Sequence, residues 1–322
     1  MNRARAFPVR AHRQRGSALL TAMIIVTLIA TLAAAMVWQQ WRAVQVEAAE
    51  RARAQSAWIL AGALDWARLI LREDARTGGA DHLGEPWAVP LAEARLSTFL
   101  AADKDNSDDA PDAFLSGSIT DAQSRYNLTN LVDQGKVLPL ELAVLDRLCL
   151  SLGLGSDMAT RIANGMRDAS APLGSASVSA TAPLLPRSVS QLTWLGIDAQ
   201  AMRQLEPYVV VLPVRTAVNV NTAPREVLAA MIKELDLATA ERLVQVRQRT
   251  PFKNLSEVQA QLSGLPALNP QQLAVASSFF EVRGRLRLED RVLEQSSLVE
   301  RRGLEIVPLQ REREASREQP GT

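Results

Sequence analysis

The chain has 322 residues, of which 47% are hydrophobic and 22% are charged, enough for a sizeable core in one or two domains. Its formal net charge of +1 gives no electrostatic footprint for nucleic acid or another polyanion. The single cysteine, Cys149, and the two histidines, His12 and His82, do not assemble into a Cys/His or Ser/His/Asp catalytic set. These counts argue against a hydrolase.

The first predicted element is an apolar helix behind a basic leader. Five arginines precede Gly16, and residues 17–40 carry no charge. That uncharged stretch is long enough to cross the ~30 Å hydrocarbon core of a bilayer as a helix. Because positive flanks stay in the cytoplasm, the arginines predict that the rest of the chain lies on the far side of the membrane.

The position of Gly16 distinguishes this segment from a secretory signal peptide. In a signal peptide, an apolar stretch of roughly 7–15 residues precedes the small-residue cleavage site. Here the small residue comes before a longer apolar run. Cleavage between Gly16 and Ser17 would remove the leader and keep the helix, an arrangement that resembles the type IV prepilin leader. An unprocessed single-pass anchor is the alternative that this segment leaves open.

The helix is predicted to continue well beyond the apolar run. Residues 42–76 are rich in good helix formers, and Gly78 and Gly79 provide a stop signal. The apolar residues on one face are Ile59, Ala63, Trp66 and Ile70, with Leu60, Leu64 and Leu71 alongside. We expect one helix over residues 17–76, with its first half in the bilayer and its second half against a globular domain. A break at Gly62 is the alternative.

After Gly79 we predict a short helix at residues 91–100, an acidic loop, and a strand at residues 116–121. The loop places Asp103, Asp105 and Asp108 at a spacing similar to that of a calcium loop. An EF-hand needs glycine and glutamate at loop positions where this chain has Asp108 and Phe114. The three aspartates are therefore weak candidates for calcium ligands, and a solvated loop is the simpler interpretation.

Residues 138–276 have a helical pattern. We predict helices at residues 140–152, 156–167, 188–194, 199–205, 225–233, 237–249 and 255–262, and a Ser/Ala/Pro-rich loop at residues 170–186. Thr222 is predicted to cap the helix that begins at Arg225. Alternating apolar and charged residues then predict strands at residues 280–288, 292–302 and 304–307, with a turn at Gly303. The order of elements predicts an α+β fold, in which a long N-terminal helix packs on a small antiparallel sheet.

Two motifs, together with the leader, support a resemblance to a known family. They are Ser-Arg-Tyr-Asn-Leu-Thr-Asn-Leu at residues 124–131 and Val-Asn-Val-Asn-Thr-Ala-Pro at residues 218–224. The chain is identified as a member of the minor pseudopilin family of the type II secretion system called protein K. The residues assigned to the family motif are Arg125, Asn127, Leu128, Asn219, Asn221, Thr222 and Pro224.

The resemblance implies a pilin-like fold with a large all-α insertion. It also implies a non-enzymatic tip or initiator subunit of the pseudopilus, which supports protein export across the outer membrane. The implied partners are the minor pseudopilins I and J, the prepilin peptidase that cuts between Gly16 and Ser17, and inner-membrane lipid. The implied location is the inner membrane, with one membrane span, a cytoplasmic N-terminus and the bulk of the chain in the periplasm.

Two departures refine the resemblance. Thr21 occupies position five after the cleavage site, where major pilins carry a glutamate that pairs with the terminal ammonium of a neighbouring subunit. A carboxylate in the membrane is costly unless it is paired, so Thr21 suits a tip subunit, which has no subunit above it.

Some family members bind calcium through acidic residues in the soluble domain, but only Asp168 remains near the corresponding segment here. We therefore expect no cofactor, with calcium as a minor alternative.

The resemblance also divides the chain. We assign residues 1–16 to a cleaved leader, 17–40 to the transmembrane half of the helix, 41–130 to the first pilin-like part, 131–276 to the helical insertion, 277–310 to the second pilin-like part and 311–322 to a disordered tail.

An alternative function is a membrane-anchored helix-hairpin-helix protein that binds or takes up DNA. Its hairpin would need glycines to present backbone N–H groups to a phosphate, whereas residues 233–237 contain Glu234, Asp236 and no glycine.

Overall fold

The structure is a computed structural model that describes residues 17–96, 113–155, 157–170, 183–288 and 291–317, with side chains described to residue 313. The leader through Gly16 and the loop with Asp103, Asp105 and Asp108 lie outside the described residues. The chain divides into two compact units, with the boundary after Trp58.

The first unit is the N-terminal part of helix α1 (Ser17–Thr77). Its apolar side chains face outward, with Leu19, Ile24 and Val37 all largely exposed. This helix is long enough and apolar enough to cross a membrane. The hydroxyl of Thr21 donates to the carbonyl of Ser17, 2.9 Å away. Bonds of this kind keep hydroxyl groups satisfied inside hydrocarbon.

In the second unit, the remainder of α1 packs on a sheet through Leu60, Leu64, Ala67 and Leu71. The prediction of one continuous helix is confirmed, and Gly62 does not interrupt it. The face predicted to be buried was partly wrong, since Trp66 is 49% exposed. The leucines, one residue away from that stripe, bury more completely because they pack against apolar side chains of the sheet.

The sequence predicted the four longest strands, two of which extend further than expected, and it missed the shorter ones. They are β1 (Leu91–Arg95), β2 (Ala113–Asp121), β3 (Tyr126–Asn127), β4 (Val132–Asp133), β5 (Lys136–Val137), β6 (Val209–Val210), β7 (Val218–Asn219), β8 (Leu273–Ala274), β9 (Phe279–Leu288), β10 (Arg291–Arg302) and β11 (Glu305–Arg317). The predicted helix at residues 91–100 is wrong at its start, where the chain pairs with β2 as a strand. Tertiary pairing overrides the helix propensity of this Leu-Ala-Glu-Ala-Arg segment.

Five of these strands form one antiparallel sheet in the order β1-β2-β9-β10-β11. Strands β2 and β9 are direct neighbours, with Ile119 opposite Val282, although residues 122–278 separate them in sequence. Everything between them is therefore an insertion into the sheet. On the face towards α1, Trp87 meets Phe280 edge-to-face with ring centroids 5.2 Å apart.

Strand β11 runs further than predicted. It pairs with β10 as far as Arg317, opposite Arg291, so residues 311–317 are strand and not the disordered tail that was expected. The register shifts between Leu298 and Val299, where β11 accommodates Pro308. Proline cannot donate to a ladder and is tolerated in an edge strand or at a bulge. The charged residues after it continue the edge strand because the backbone of β10 supplies their partners.

The insertion is mostly helical, as predicted. Its helices are α2 (Pro139–Ser151), α3 (Met158–Ala169), α4 (Ala199–Leu205), α5 (Arg225–Met231), α6 (Leu237–Arg249) and α7 (Leu255–Ala260), with a 3₁₀ helix at Val189–Leu195. These helices share a core that includes the fully buried Leu145, Leu148 and Ile162. Two parallel bridges, β3 with β6 and β7 with β8, join segments on either side of the helices.

Candidate functional site

A buried polar junction connects the sheet to the helical insertion, and Asp121 lies at its centre. Asp121 ends β2 and is almost fully buried. Its Oδ2 accepts hydrogen bonds from the hydroxyls of Ser277 and Thr222, both at 2.6 Å, and from Asn219 Nδ2 at 3.0 Å. Its Oδ1 accepts from the backbone N–H of Gln123 at 2.8 Å. Burial raises the pKa of Asp121, and the four donors oppose that rise.

Asn219 extends the junction to a third segment. Its Nδ2 also donates to the carbonyl of Asp81 and to the hydroxyl of Ser277, both at 3.0 Å. Its Oδ1 accepts from the backbone N–H of Asn221 at 2.9 Å, which closes a local turn. One amide therefore fixes the start of the second motif against the end of β2 and the loop that follows α1.

Arg301 of β10 connects the same loop to α1. Its guanidinium bonds the carboxylate of Asp74, 2.7 Å away near the end of α1, and that of Asp81 at 2.6 Å. It also donates to the carbonyl of Ser277 at 2.6 Å and lies over the ring of Phe280, 4.9 Å from its centroid. A planar guanidinium suits this role because its several donors point in fixed directions.

The two carboxylates bonded to Arg301 lie close to a third carboxyl group, that of Glu85. Asp74, Asp81 and Glu85 each place an oxygen within 4.8 Å of the others. Burial raises the pKa of Asp74 to about 6, with the carboxylates of Glu85 and Asp81 adding to the rise and Arg301 opposing it. Among the described residues, this acidic cluster is the arrangement closest to a cation site. Arg301 supplies positive charge there and satisfies two of the carboxylates without a metal ion.

The first motif contains two asparagines that hold a distant, irregular stretch of chain. Asn127 donates through Nδ2 to the carbonyl of Val214 at 2.7 Å and accepts through Oδ1 from the N–H of Leu212 at 3.1 Å. Asn130 forms a two-bond ring with the backbone of Thr216, at 2.8 Å and 3.0 Å. An asparagine amide carries the same donor and acceptor pair as a peptide group. It can therefore replace a strand partner where no strand is present.

Asn221 of the second motif works in the same way. It exchanges two hydrogen bonds of 2.9 Å with the backbone of Phe252, which follows α6. Thr222 was predicted to cap the next helix, and that prediction is wrong. The N-cap residue of α5 is Pro224, and the hydroxyl of Thr222 is directed at Asp121 instead. The hydroxyl therefore serves as a donor to a buried carboxylate, whereas a cap would have to accept from a backbone N–H of α5.

The remaining family-motif residues also contact the protein interior. Arg125 pairs with Glu281 of β9 at 2.9 Å, with both side chains mostly buried. The flanking charges of Arg125 and Arg283 more than offset burial and lower the pKa of Glu281. Leu128 is fully buried in the core of the insertion. The motif residues are thus brought together as parts of a scaffold.

The other predicted residues are placed apart from the junction. Ser17 is the first residue of α1, and Thr21 lies one turn later. Asp168 is on the surface near the end of α3, where it pairs with Arg167 at 2.9 Å. Cys149 is buried in α2, and burial raises the pKa of its thiol to about 12. That thiol stays protonated and is a poor nucleophile at neutral pH.

The hairpin between α5 and α6 has the two carboxylates that the sequence placed there. Glu234 has a positive φ of 67° and forms an ion pair with Lys233 at 3.4 Å. Asp236 caps α6 by accepting from the N–H of Thr239 at 2.8 Å. The side chain of Asp236 thus satisfies the first turn of α6, and its charge would repel a phosphate.

Sequence reasoning missed five residues of the junction: Asp74, Asp81, Asp121, Ser277 and Arg301. These residues come from four separate segments outside both motifs, so no local pattern connects them. The signal that could have found them is the second motif itself, since its buried polar side chains require partners. Among the described residues, every buried side-chain nitrogen and oxygen has a hydrogen-bond partner. The junction is therefore chemically complete and suited to holding two substructures together.

These features define a class of protein. A long N-terminal helix that is apolar at its start, and whose second half packs on an antiparallel sheet, is the architecture of a pilin-like subunit. Here the sheet also carries a helical insertion between adjacent strands. The solved structure reported as the GspK-GspI-GspJ complex from the type 2 secretion system of enterotoxigenic Escherichia coli contains a similar chain. It superimposes with a TM-score of 0.63 and 22% identity, covering 83% of this chain and 99% of that one, which supports the fold.

Comparison of sequences identifies the family. Two family models described as type II secretion system protein K match residues 124–214 and 218–276. The type II secretion system protein K of Pseudomonas aeruginosa is 30% identical over 301 residues, covering 86% of each chain. That of Pectobacterium carotovorum is also 30% identical, covering 93% of this chain and 96% of the relative. The chain belongs to the type II secretion system protein K family.

Proposed function

We propose that this protein is a minor pseudopilin of the type II secretion system and acts as a non-enzymatic tip or initiator subunit of the pseudopilus. The observation that carries the proposal is the helical insertion between the paired strands β2 and β9, fixed to the sheet by the junction around Asp121. A helical insertion of this size, added to a pilin-like subunit, would cover the tip of the filament and would leave the long helix unchanged.

The N-terminal helix supplies the membrane anchor in this proposal. The leader is cut between Gly16 and Ser17 by the prepilin peptidase, and the uncharged stretch of α1 then spans the inner membrane. The N-terminus is cytoplasmic and the second unit is periplasmic. The arginine-rich leader supports this orientation. Thr21 in place of a carboxylate supports a position with no subunit above it.

The proposed partners are the minor pseudopilins I and J. The structurally similar chain comes from a complex named for three such subunits, and this chain belongs to the same family as the K subunit. The division of the chain follows: two pilin-like parts, at residues 41–130 and 277–310, flank the insertion at residues 131–276. Strand β11 extends the second part to Arg317.

The alternative of DNA uptake receives no support from the relatives, which are named as secretion proteins. The carboxylates of Glu234 and Asp236 at the hairpin also disfavour a phosphate ligand. A calcium cofactor is not needed for the proposal, because Asp168 pairs with Arg167 and Arg301 satisfies two carboxylates of the acidic cluster.

Co-purification tests the proposal. The full-length chain would be extracted from membranes that also contain the minor pseudopilins I and J, and secretion would be measured in a strain lacking the gene. We expect both partners to be recovered with the chain, and secretion to depend on it. A surface variant, Asp168→Asn, serves as a matched control that should keep both properties. Full secretion without the gene, or recovery of neither partner, would refute the proposed function.

A further inference from the structure

The first unit carries a pair of neighbouring tryptophans at the end of its uncharged run. Trp38 and Trp41 lie on one face of α1, with their ring centroids 5.4 Å apart. They are 59% and 56% exposed, and no described residue accepts a hydrogen bond from either indole N–H. Because an indole combines an apolar ring with a polar N–H, its best environment is a boundary between an apolar and an aqueous phase.

The pair lies about one bilayer thickness from the start of the helix. At about 1.5 Å per residue, the rise from Ser17 to Trp38 is about 32 Å, and the hydrocarbon core of a bilayer is about 30 Å thick. Within this stretch, the hydroxyls of Thr21, Thr27 and Thr31 each donate to a carbonyl of the preceding turn at 2.9 Å. The stretch therefore suits hydrocarbon in both its length and its hydrogen bonding.

The charge of α1 changes immediately after the tryptophans. Arg42 is the first charged residue after the leader, and it forms no ion pair with another described residue. Arg51, further along the helix, is paired with Glu47 at 2.8 Å. The guanidinium of Arg42 is thus available to an external acceptor, and its planar set of donors matches a phosphate group.

We propose that Trp38, Trp41 and Arg42 form an interfacial anchor that holds α1 in the phospholipid headgroup layer on the periplasmic side of the membrane, an inference that rests on the proposed function. Tryptophan is enriched in this layer, and an arginine close to the membrane surface is attracted to anionic headgroups. Once the leader is cut after Gly16, its five arginines no longer hold the cytoplasmic end. The interfacial anchor then fixes the depth of the helix.

Cysteine labelling of the full-length chain tests this inference. Val37→Cys and Val44→Cys are a matched pair, because the two valines are 66% and 61% exposed in the fold, so that only a membrane makes them differ. A membrane-impermeant maleimide would be added to spheroplasts of a host that lacks the other pseudopilins, so that no neighbouring subunit covers α1. Cys149 does not interfere, because it is buried. We expect Val44→Cys to be labelled at least about tenfold faster, because a thiol in hydrocarbon does not ionise.

A second set of variants tests the tryptophans themselves. Replacing Trp38 and Trp41 together with alanine should raise the labelling rate of Val37→Cys at least about threefold, because nothing then holds this part of the helix at a fixed depth. Trp58→Ala is the control. Trp58 is on the same helix and is 79% exposed, but it lies about 26 Å beyond Trp41 and outside the headgroup layer.

The outcomes separate this inference from the proposed function. Equal labelling of the two valine positions overturns the anchor, and so does a labelling rate at Val37→Cys that is unchanged when both tryptophans are replaced. A rise with Trp58→Ala as large as that with the tryptophan pair also overturns it. In these cases the recovery of I and J still decides the proposed function. Labelling of neither position in spheroplasts, but of both after lysis, would reverse the orientation of the chain and contradict both proposals.

Discussion

Replacing Asp121 with alanine tests whether the junction holds the insertion on the sheet. The variant removes the acceptor shared by Ser277, Thr222 and Asn219, and leaves the backbone N–H of Gln123 without its acceptor. Of these donors, Asn219 keeps its bond to the carbonyl of Asp81. The groups that lose their acceptor are therefore the hydroxyls of Ser277 and Thr222 and the backbone N–H of Gln123 in the turn after β2.

The size of the effect follows from burial. A hydrogen bond to a charged group contributes about 1.5–3 kcal/mol, and a buried group left unsatisfied costs about 1–3 kcal/mol. Because these contributions are not additive within one network, we expect Asp121→Ala to lower the free energy of unfolding by about 3–5 kcal/mol, comparable to breaking a buried ion pair. Asp121→Asn keeps the volume and one acceptor, and its neutral side chain has no charge to desolvate. We expect it to cost about 1–2 kcal/mol.

Pulse proteolysis of the full-length chain across a urea series measures these differences. Asp168→Ala is the control, because its pair with Arg167 is on the surface and should contribute less than about 1 kcal/mol. The reasoning is refuted if Asp121→Ala unfolds within 1 kcal/mol of the unchanged chain, or if Asp121→Asn is the more destabilised of the two variants. Either result would mean that packing, and not the polar network, attaches the insertion.

Three further predictions concern other positions. Burial and its carboxylate neighbours raise the pKa of Asp74 from its ordinary value of 3.8 to about 6, so the folded state holds the proton more tightly and its contribution to stability declines as pH rises from about 4 to about 6. Asp74→Asn should remove that decline in urea titrations, and an unchanged pH profile would contradict the assignment. Gly16→Leu should leave the leader attached, visible as a slightly larger band in membranes, whereas normal processing would exclude the peptidase. Thr21→Glu should not raise secretion, and a clear gain would place the subunit in the shaft.

The sequence predicted the elements that depend on local pattern. The helix of residues 17–77 was expected within one residue, because an uncharged run followed by good helix formers leaves the chain few other choices. Strands β9 and β10 were expected because their charged and apolar residues alternate. The sequence drew attention to the motif around Asn219 but did not predict its hydrogen bonds, because an asparagine gives no indication in sequence of which distant groups its side chain will contact.

Tertiary structure decided what depends on partners far along the chain. Leu91–Arg95 is a strand because β2 offers it hydrogen bonds, and residues 311–317 remain ordered because β10 does the same. Asp121 becomes the centre of the junction only when the chain brings Thr222 and Ser277 to it. The sequence alone determined the long N-terminal helix with its membrane-length apolar run, the strands β9 and β10, and the family. The burial of the carboxylate, the side of α1 that stays open and the fixing of the insertion were decided by the fold, because desolvation and hydrogen-bond geometry exist only once distant segments are packed.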